Sequence, residues 1–171
     1  MPCFMVETGY RNKFDDTGAR RMTNKVPFNS LLVPTDFSEH SWSAFQHALL
    51  LVDGQDSEIV VVHAIDPPDI DHMVELGIGE HDAILKSMRE NALERLKRYS
   101  EASTESTKID VLVSEGVPFF EIVRKAEDFA VDAIVMSKLG QRDGANTLLF
   151  GSTAEKVIRA SKKPVIVLPS D

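Results

Sequence analysis

The sequence Ser30-Leu-Leu-Val-Pro-Thr-Asp-Phe-Ser38 runs from a strand signal directly into a helix start. Ser30–Val33 is apolar after its first residue and too short for an ordinary helix, the pattern of a parallel strand covered on both faces. Pro34 removes a backbone donor and fixes φ where the strand ladder should stop. Asp36 then falls at the carboxyl edge of the sheet. Ser38 stands as a helix N-cap, with Glu39 in the first turn, where a negative side chain suits the helix dipole.

The same grammar repeats downstream. Ile59–Ala64, Ala133–Met136 and Val165–Leu168 are short, continuously apolar runs that read as buried parallel strands. Ile109–Val113 is broken by Asp110 and reads as an edge or partly exposed strand. Between them lie helical patterns. In Ser38–Val52, residues Trp42, Phe45, Ala48, Leu49 and Val52 form one apolar stripe. In Ala83–Tyr99 the stripe is Ile84, Leu85, Met88, Ala92, Leu93 and Leu96. Pro118 opens a third helix whose inner face is Phe119, Ile122, Val123, Ala126 and Ala130. The last helix begins near Ser152, with Glu155 completing a capping box and Ala154, Val157 and Ile158 pointing inward. Lys162-Lys163-Pro164 ends it.

The expected order is therefore β-α-β-α-β-α-β-α-β, one open α/β domain with helices on both faces of a parallel sheet. Asp66–His81, with Pro67-Pro68, Gly77 and Gly79, reads as an irregular connection, either a mobile lid or an exposed surface loop. Residues 1–25 show no helical or strand periodicity. They carry five basic residues (Arg11, Lys13, Arg20, Arg21, Lys25) against three acids, and are expected to be a flexible extension before a domain spanning 26–171.

Composition narrows the function. The chain has 171 residues, 43% of them hydrophobic, enough for one domain with a real core. Its 19 Lys and Arg against 27 Asp and Glu give a net charge of −8, which argues against a nucleic-acid binder or a polybasic membrane surface. The single cysteine, Cys3, excludes an intrachain disulfide and a clustered-cysteine metal site. No apolar run reaches the length of a transmembrane helix, and the first residues lack the pattern of a signal peptide, so the expected location is the cytoplasm.

Two features can carry chemistry. Asp36 can accept hydrogen bonds from a ribose or adenine group in the crevice at the carboxyl edge of an open sheet, or it can simply cap the following helix. Met136-Ser-Lys-Leu-Gly140-Gln-Arg-Asp-Gly144 leads on to Phe150-Gly-Ser-Thr153, so a strand opens into a glycine-containing loop and then a helix start bearing two hydroxyls. The amides of Ser152, Thr153 and Ala154 would hold a phosphate chain there, or the segment is an ordinary capped helix. Lys138 and Arg142 either add positive charge to that site or face solvent. Neither GxGxxG nor GxxxxGK[ST] occurs. His63 lies in a buried-reading strand and is expected to be a satisfied core histidine. His40, His47, His72 and His81 are expected to be structural or solvent-facing, and no convincing catalytic base attaches to either feature.

From Val26 to Pro169 the chain resembles the universal stress protein domain. The resemblance rests on Leu32-Val-Pro-Thr-Asp36-Phe-Ser38, Val62-His-Ala-Ile-Asp66, Phe150-Gly-Ser-Thr-Ala-Glu-Lys-Val157 and Lys163-Pro-Val-Ile-Val167 taken together. It implies an adenine-nucleotide alpha-hydrolase-like fold with strand order 3-2-1-4-5. In the family's ATP-binding branch it also implies a site for ATP or AMP, with or without Mg2+. That site would comprise Pro34, Thr35 and Asp36; Ala64; Met136, Ser137 and Gly140; and Gly151, Ser152 and Thr153. The family loop, G-x2-G-x9-G-[ST], differs here in two ways: Ser137 stands at the first glycine, and the spacing from Gly140 to Gly151 is one residue longer.

The resemblance further implies a homodimer through the last strand, Val165–Leu168, whose apolar edge would otherwise stay uncovered. The function expected is an adenine-nucleotide-binding stress-response or regulatory protein. It would hydrolyse ATP weakly at most, act on an unidentified regulatory protein partner, and bind neither nucleic acid nor membrane. The competing expectation is a dimeric interaction module of the same fold that binds no nucleotide.

Overall fold

The computed structural model describes residues 28–52, 56–141 and 150–169. The expected extension over 1–25 lies outside the described residues. Five parallel strands form one sheet: β1 (Ser30–Pro34), β2 (Ser57–Ile65), β3 (Thr107–Glu115), β4 (Ala133–Ser137) and β5 (Val165–Leu168). Their order is β3-β2-β1-β4-β5, as the family resemblance implies, so β3 and β5 are the edges. Asp110 does mark an edge strand.

Side-chain alternation along each strand builds two cores. Leu31, Val33, Ala133 and Val135 pack on one face against Phe45 and Ala48 of α1 (Glu39–Leu51), Ile70 of α2 (Pro67–Glu75) and Leu96 of α3 (His81–Ser100). Leu32, Ile134 and Met136 point the other way, onto Ile122 and Ala126 of α4 (Pro118–Asp128) and Ala154 and Val157 of α5 (Ser152–Ala160). Both faces of the sheet are covered, which is why its central strands read as unbroken apolar runs.

Four expectations are corrected. Asp66–His81 is not an irregular connection, because Pro67–Glu75 is helical and only residues 76–80 join α2 to α3. Pro67 and Pro68 occupy the first turn, where a missing N–H costs nothing, and fully buried Ile70 anchors the helix to the core. The element order therefore gains a helix between β2 and β3. Ile158 and Leu93, expected to face inward, are 41% and 44% exposed. Ala130 lies past the end of α4, exposed and with φ at 51°, so it closes the helix instead of packing under it.

The start of α5 supplies the fourth. Its N-cap is Gly151, no side chain caps it, and Glu155 pairs with Arg159 instead of reaching back to Ser152. The capping box does not form. Ser38, by contrast, caps α1 as expected by accepting from the Ser41 amide at 3.1 Å.

Candidate functional site

The carboxyl ends of β1, β2 and β4 open into a cavity of about 310 Å3. Pro34, Thr35 and Asp36 line it from β1, and Ala64 lines it from β2. Met136, Ser137 and Gly140 come from β4 and the turn after it, and Gly151, Ser152 and Thr153 from the start of α5. Residues chosen from distant parts of the sequence thus share one crevice.

The β1 corner is held by a chain of hydroxyls. Ser41 Oγ gives its one proton to the Ser38 carbonyl at 2.9 Å. The 3.0 Å contact between Ser41 and Thr35 must then be donated by Thr35. That leaves the Thr35 oxygen to accept from the Phe37 amide at 2.9 Å and from Tyr99 Oη at 2.8 Å. Thr35 is buried and its hydroxyl is fully committed, so the residue fixes the corner.

This network turns the chain sharply enough that Phe37 adopts φ of 64°. For a bulky residue that conformation costs about 1–2 kcal/mol, and it persists because the surrounding bonds determine it.

Asp36 does not cap α1, whose N-cap is Ser38, but braces that cap and a distant turn together. One carboxylate oxygen accepts from the Ser38 amide at 3.0 Å and from the Ser38 hydroxyl at 2.6 Å. The other accepts from the Gln141 amide at 2.5 Å, tying the β1 corner to the turn after β4. Burial pushes the carboxyl pKa up, but the Ser38 hydroxyl and the two amides outweigh it, so Asp36 ionises below its ordinary 3.8.

The far side is stitched with equal care. The Lys138 amide bonds to the Leu168 carbonyl at 2.8 Å, and the Gly151 amide bonds to the Lys138 carbonyl at 2.9 Å. These bonds place the first turn of α5 beside the end of β4. Among the described residues no side chain caps α5, so within them the amides of its first turn are left for whatever enters the cavity. Ser152 is exposed and Thr153 half-buried.

Ser137, where the family carries glycine, does not have positive φ, and its hydroxyl donates to the Leu139 carbonyl at 2.7 Å. Serine is therefore accommodated without backbone strain. The extra loop residue and Arg142 fall outside the described residues.

Sequence reasoning missed several wall residues. His63 is half-buried on the cavity wall, and its Nδ1 lies 2.8 Å from the Thr35 carbonyl. A carbonyl only accepts, so Nδ1 carries the proton and Nε2 is left as an acceptor. Burial lowers the His63 pKa below 6.5 against the opposing pull of that carbonyl, which favours the neutral form of the ring. Gln141, Phe119 and Lys156 also line the cavity, the Lys156 ammonium lying 5.5 Å from the Phe119 ring centroid. The signal for His63 was its place next to Ala64 at a strand end. Nothing local marked Gln141 or Lys156.

Among the described residues no cluster of three His, Cys, Asp or Glu side chains could hold a metal ion, and no helix is long and apolar enough to cross a membrane.

Comparison with known proteins identifies the family and the fold. Residues 27–169 match the sequence model of the Universal stress protein family. Universal stress protein MJ0531 of Methanocaldococcus jannaschii is 33% identical over 143 residues, covering 82% of this chain and 82% of its own. Universal stress protein MJ0577 of the same organism is 31% identical over 158 residues, covering 84% of this chain and 96% of its own. The solved MJ0577 structure superimposes with a TM-score of 0.75 at 30% identity, over 84% of this chain and 97% of that one. At the level of fold alone, a universal stress family protein of Arabidopsis thaliana, solved with AMP bound, gives a TM-score of 0.54 at 14% identity, over 84% of this chain and 92% of its own.

Proposed function

The chain belongs to the universal stress protein family, and on that premise we propose that it binds an adenine nucleotide, ATP or AMP, as a cytoplasmic stress-response or regulatory protein. The observation that carries this reading is the pairing of two unlike ends in one cavity. At one end, an uncapped helix start offers amides and two hydroxyls, a site suited to phosphate. At the other, the ionised Asp36 and the backbone around Ala64 suit the donors of a ribose or base. The volume falls at the lower end of the range for small-molecule sites. The AMP-bound relative lends support at the level of the fold.

Mg2+, where it accompanies the nucleotide, would take its ligands chiefly from the phosphates, with the Ser152 or Thr153 hydroxyl as a protein ligand. Binding, and not turnover, is the role assigned, with ATP hydrolysis weak at most. The half-exposed edge strand β5 is the surface where a second copy would pair, and light scattering at micromolar concentration should return a dimer.

A rival reading, a dimeric interaction module without nucleotide, is favoured by one observation: both Asp36 oxygens already have internal donors. Titration of the purified protein with ATP, ADP and AMP separates the two. Saturable binding of an adenine nucleotide is expected. No binding up to about 1 mM, a threshold near −4 kcal/mol, would leave the rival standing.

A further inference from the structure

A second cavity, of about 570 Å3, adjoins the first and shares Asp36, His63, Asp69, Met88 and Gln141 as a common wall. It opens on the α3 side of the sheet. Met73, Ile84 and Ala92 give it an apolar lining, and the last two are buried in the core.

Ser87, Asn91 and Arg95 follow at four-residue intervals along α3, so they stand in a row on one helix face, and all three line the cavity. The Arg95 guanidinium lies 4.1 Å over the Phe37 ring, with one N–H 3.5 Å from the Phe37 carbonyl. His63 also contacts that ring, at 4.4 Å between centroids. Among the described residues Arg95 has no carboxylate partner, whereas Arg124 and Arg159 pair with Glu121 and Glu155. A guanidinium carries five donors in a rigid fork, and stacking on Phe37 holds this one in orientation before any ligand arrives. Its cost of ordering on binding is correspondingly small.

We propose that this cavity is a second small-molecule subsite that takes an organic anion, with a carboxylate or phosphate head on Arg95 and Asn91 and an apolar body against Met73, Ile84 and Ala92. The carboxylates of Asp36 and Asp69 lie on the shared wall and repel a second negative charge there, which directs the head toward Arg95. The fork of Arg95 suits the paired oxygens of either head group. The subsite stands on α3 and Phe37 and does not require nucleotide in the first cavity.

Heteronuclear NMR titration of the full, nucleotide-free chain tests this with octanoate, octyl phosphate and octylammonium as probes. The anions should shift the Ser87, Asn91 and Arg95 amides saturably, and octylammonium should not. Tighter binding of octyl phosphate would identify a phosphate ester as the natural head, and tighter octanoate a carboxylate.

Arg95→Met, which keeps the stem and removes the charge, should weaken both anions by about tenfold or more. Ser87→Trp, which fills the cavity from an exposed position, should abolish binding and decides the matter should Arg95→Met lose its near-ultraviolet dichroism. The proposal fails if neither anion binds saturably, if octylammonium binds as well as the anions, or if both variants bind like the wild type.

Discussion

Helices α1 and α5 both begin at the carboxyl edge of the sheet with hydroxyl-rich first turns, yet α1 spends its hydroxyls on itself and α5 leaves them at a cavity. At α1, Ser38 accepts from the Ser41 amide and donates to Asp36, and Ser41 closes onto the Ser38 carbonyl. At α5, Gly151 is the N-cap and, among the described residues, no side chain answers the first-turn amides. The backbone problem is the same at both helix starts. A start that has solved it internally is scaffold, and one that has not is where an anion belongs.

That contrast can be broken from either side. The largest effect is expected from Ser152→Asp. A carboxylate at the start of α5 would satisfy the helix and repel phosphate, so nucleotide affinity should fall by about 2 kcal/mol, roughly 30-fold, while thermal stability holds or rises slightly. Calorimetric titration beside a thermal melt reads both, and an affinity equal to wild type would remove the helix start from the site.

Asp36→Ala comes next. Affinity should drop about tenfold, and stability by about 1–2 kcal/mol, because the Ser38 and Gln141 amides lose their acceptor. Far-ultraviolet dichroism should show the domain still folded, and an unchanged affinity would confine Asp36 to a structural role. Ser38→Ala acts on the internally satisfied start. It should cost about 1 kcal/mol in denaturant unfolding and move affinity less than Asp36→Ala does.

The smallest effect is that of pH on the shared corner. His63 titrates below 6.5 in the folded chain, so as pH falls below 6.5 the unfolded state takes up a proton that the folded state refuses. Stability should therefore decline progressively as the pH drops from 6.5 toward the folded pKa, with no contribution from His63 above that range. Asp36, also depressed, adds a second loss as pH falls below 3.8. The His63 ring proton, followed by NMR, should titrate below 6.5, and a midpoint at or above that value would show that the ring is not held neutral.

The parts of this architecture that local pattern controls were legible. β1, β2, β4 and β5 announce themselves as short apolar runs because both faces of the sheet are covered, and Ser38 announces α1 because capping is a matter of adjacent residues. The grouping of Asp36 with Gly151 and Ser152 came from the family resemblance, since no local pattern ties the end of β1 to the start of α5. The rest depends on packing between distant segments. Pro67-Pro68 resembles a loop until Ile70 is seen to enter the core. Ser152 and Glu155 spell a capping box, but Glu155 finds Arg159 first. Leu93 and Ile158 fit their helical stripes and still face outward, because the neighbouring elements do not reach them. No spacing rule connects Gln141 to Asp36 or Arg95 to Phe37, since those contacts exist only once the sheet has assembled.

The central claim is that the open start of α5 receives phosphate while Asp36 faces the rest of the same ligand. Amide chemical shifts recorded while ATP or AMP is added test it most directly. The prediction is saturable movement of the Ser152, Thr153 and Ala154 amides together with that of Gln141, whose N–H is bound to Asp36. Saturable shifts confined to other surfaces, or no shifts at those amides at saturating nucleotide, would contradict it.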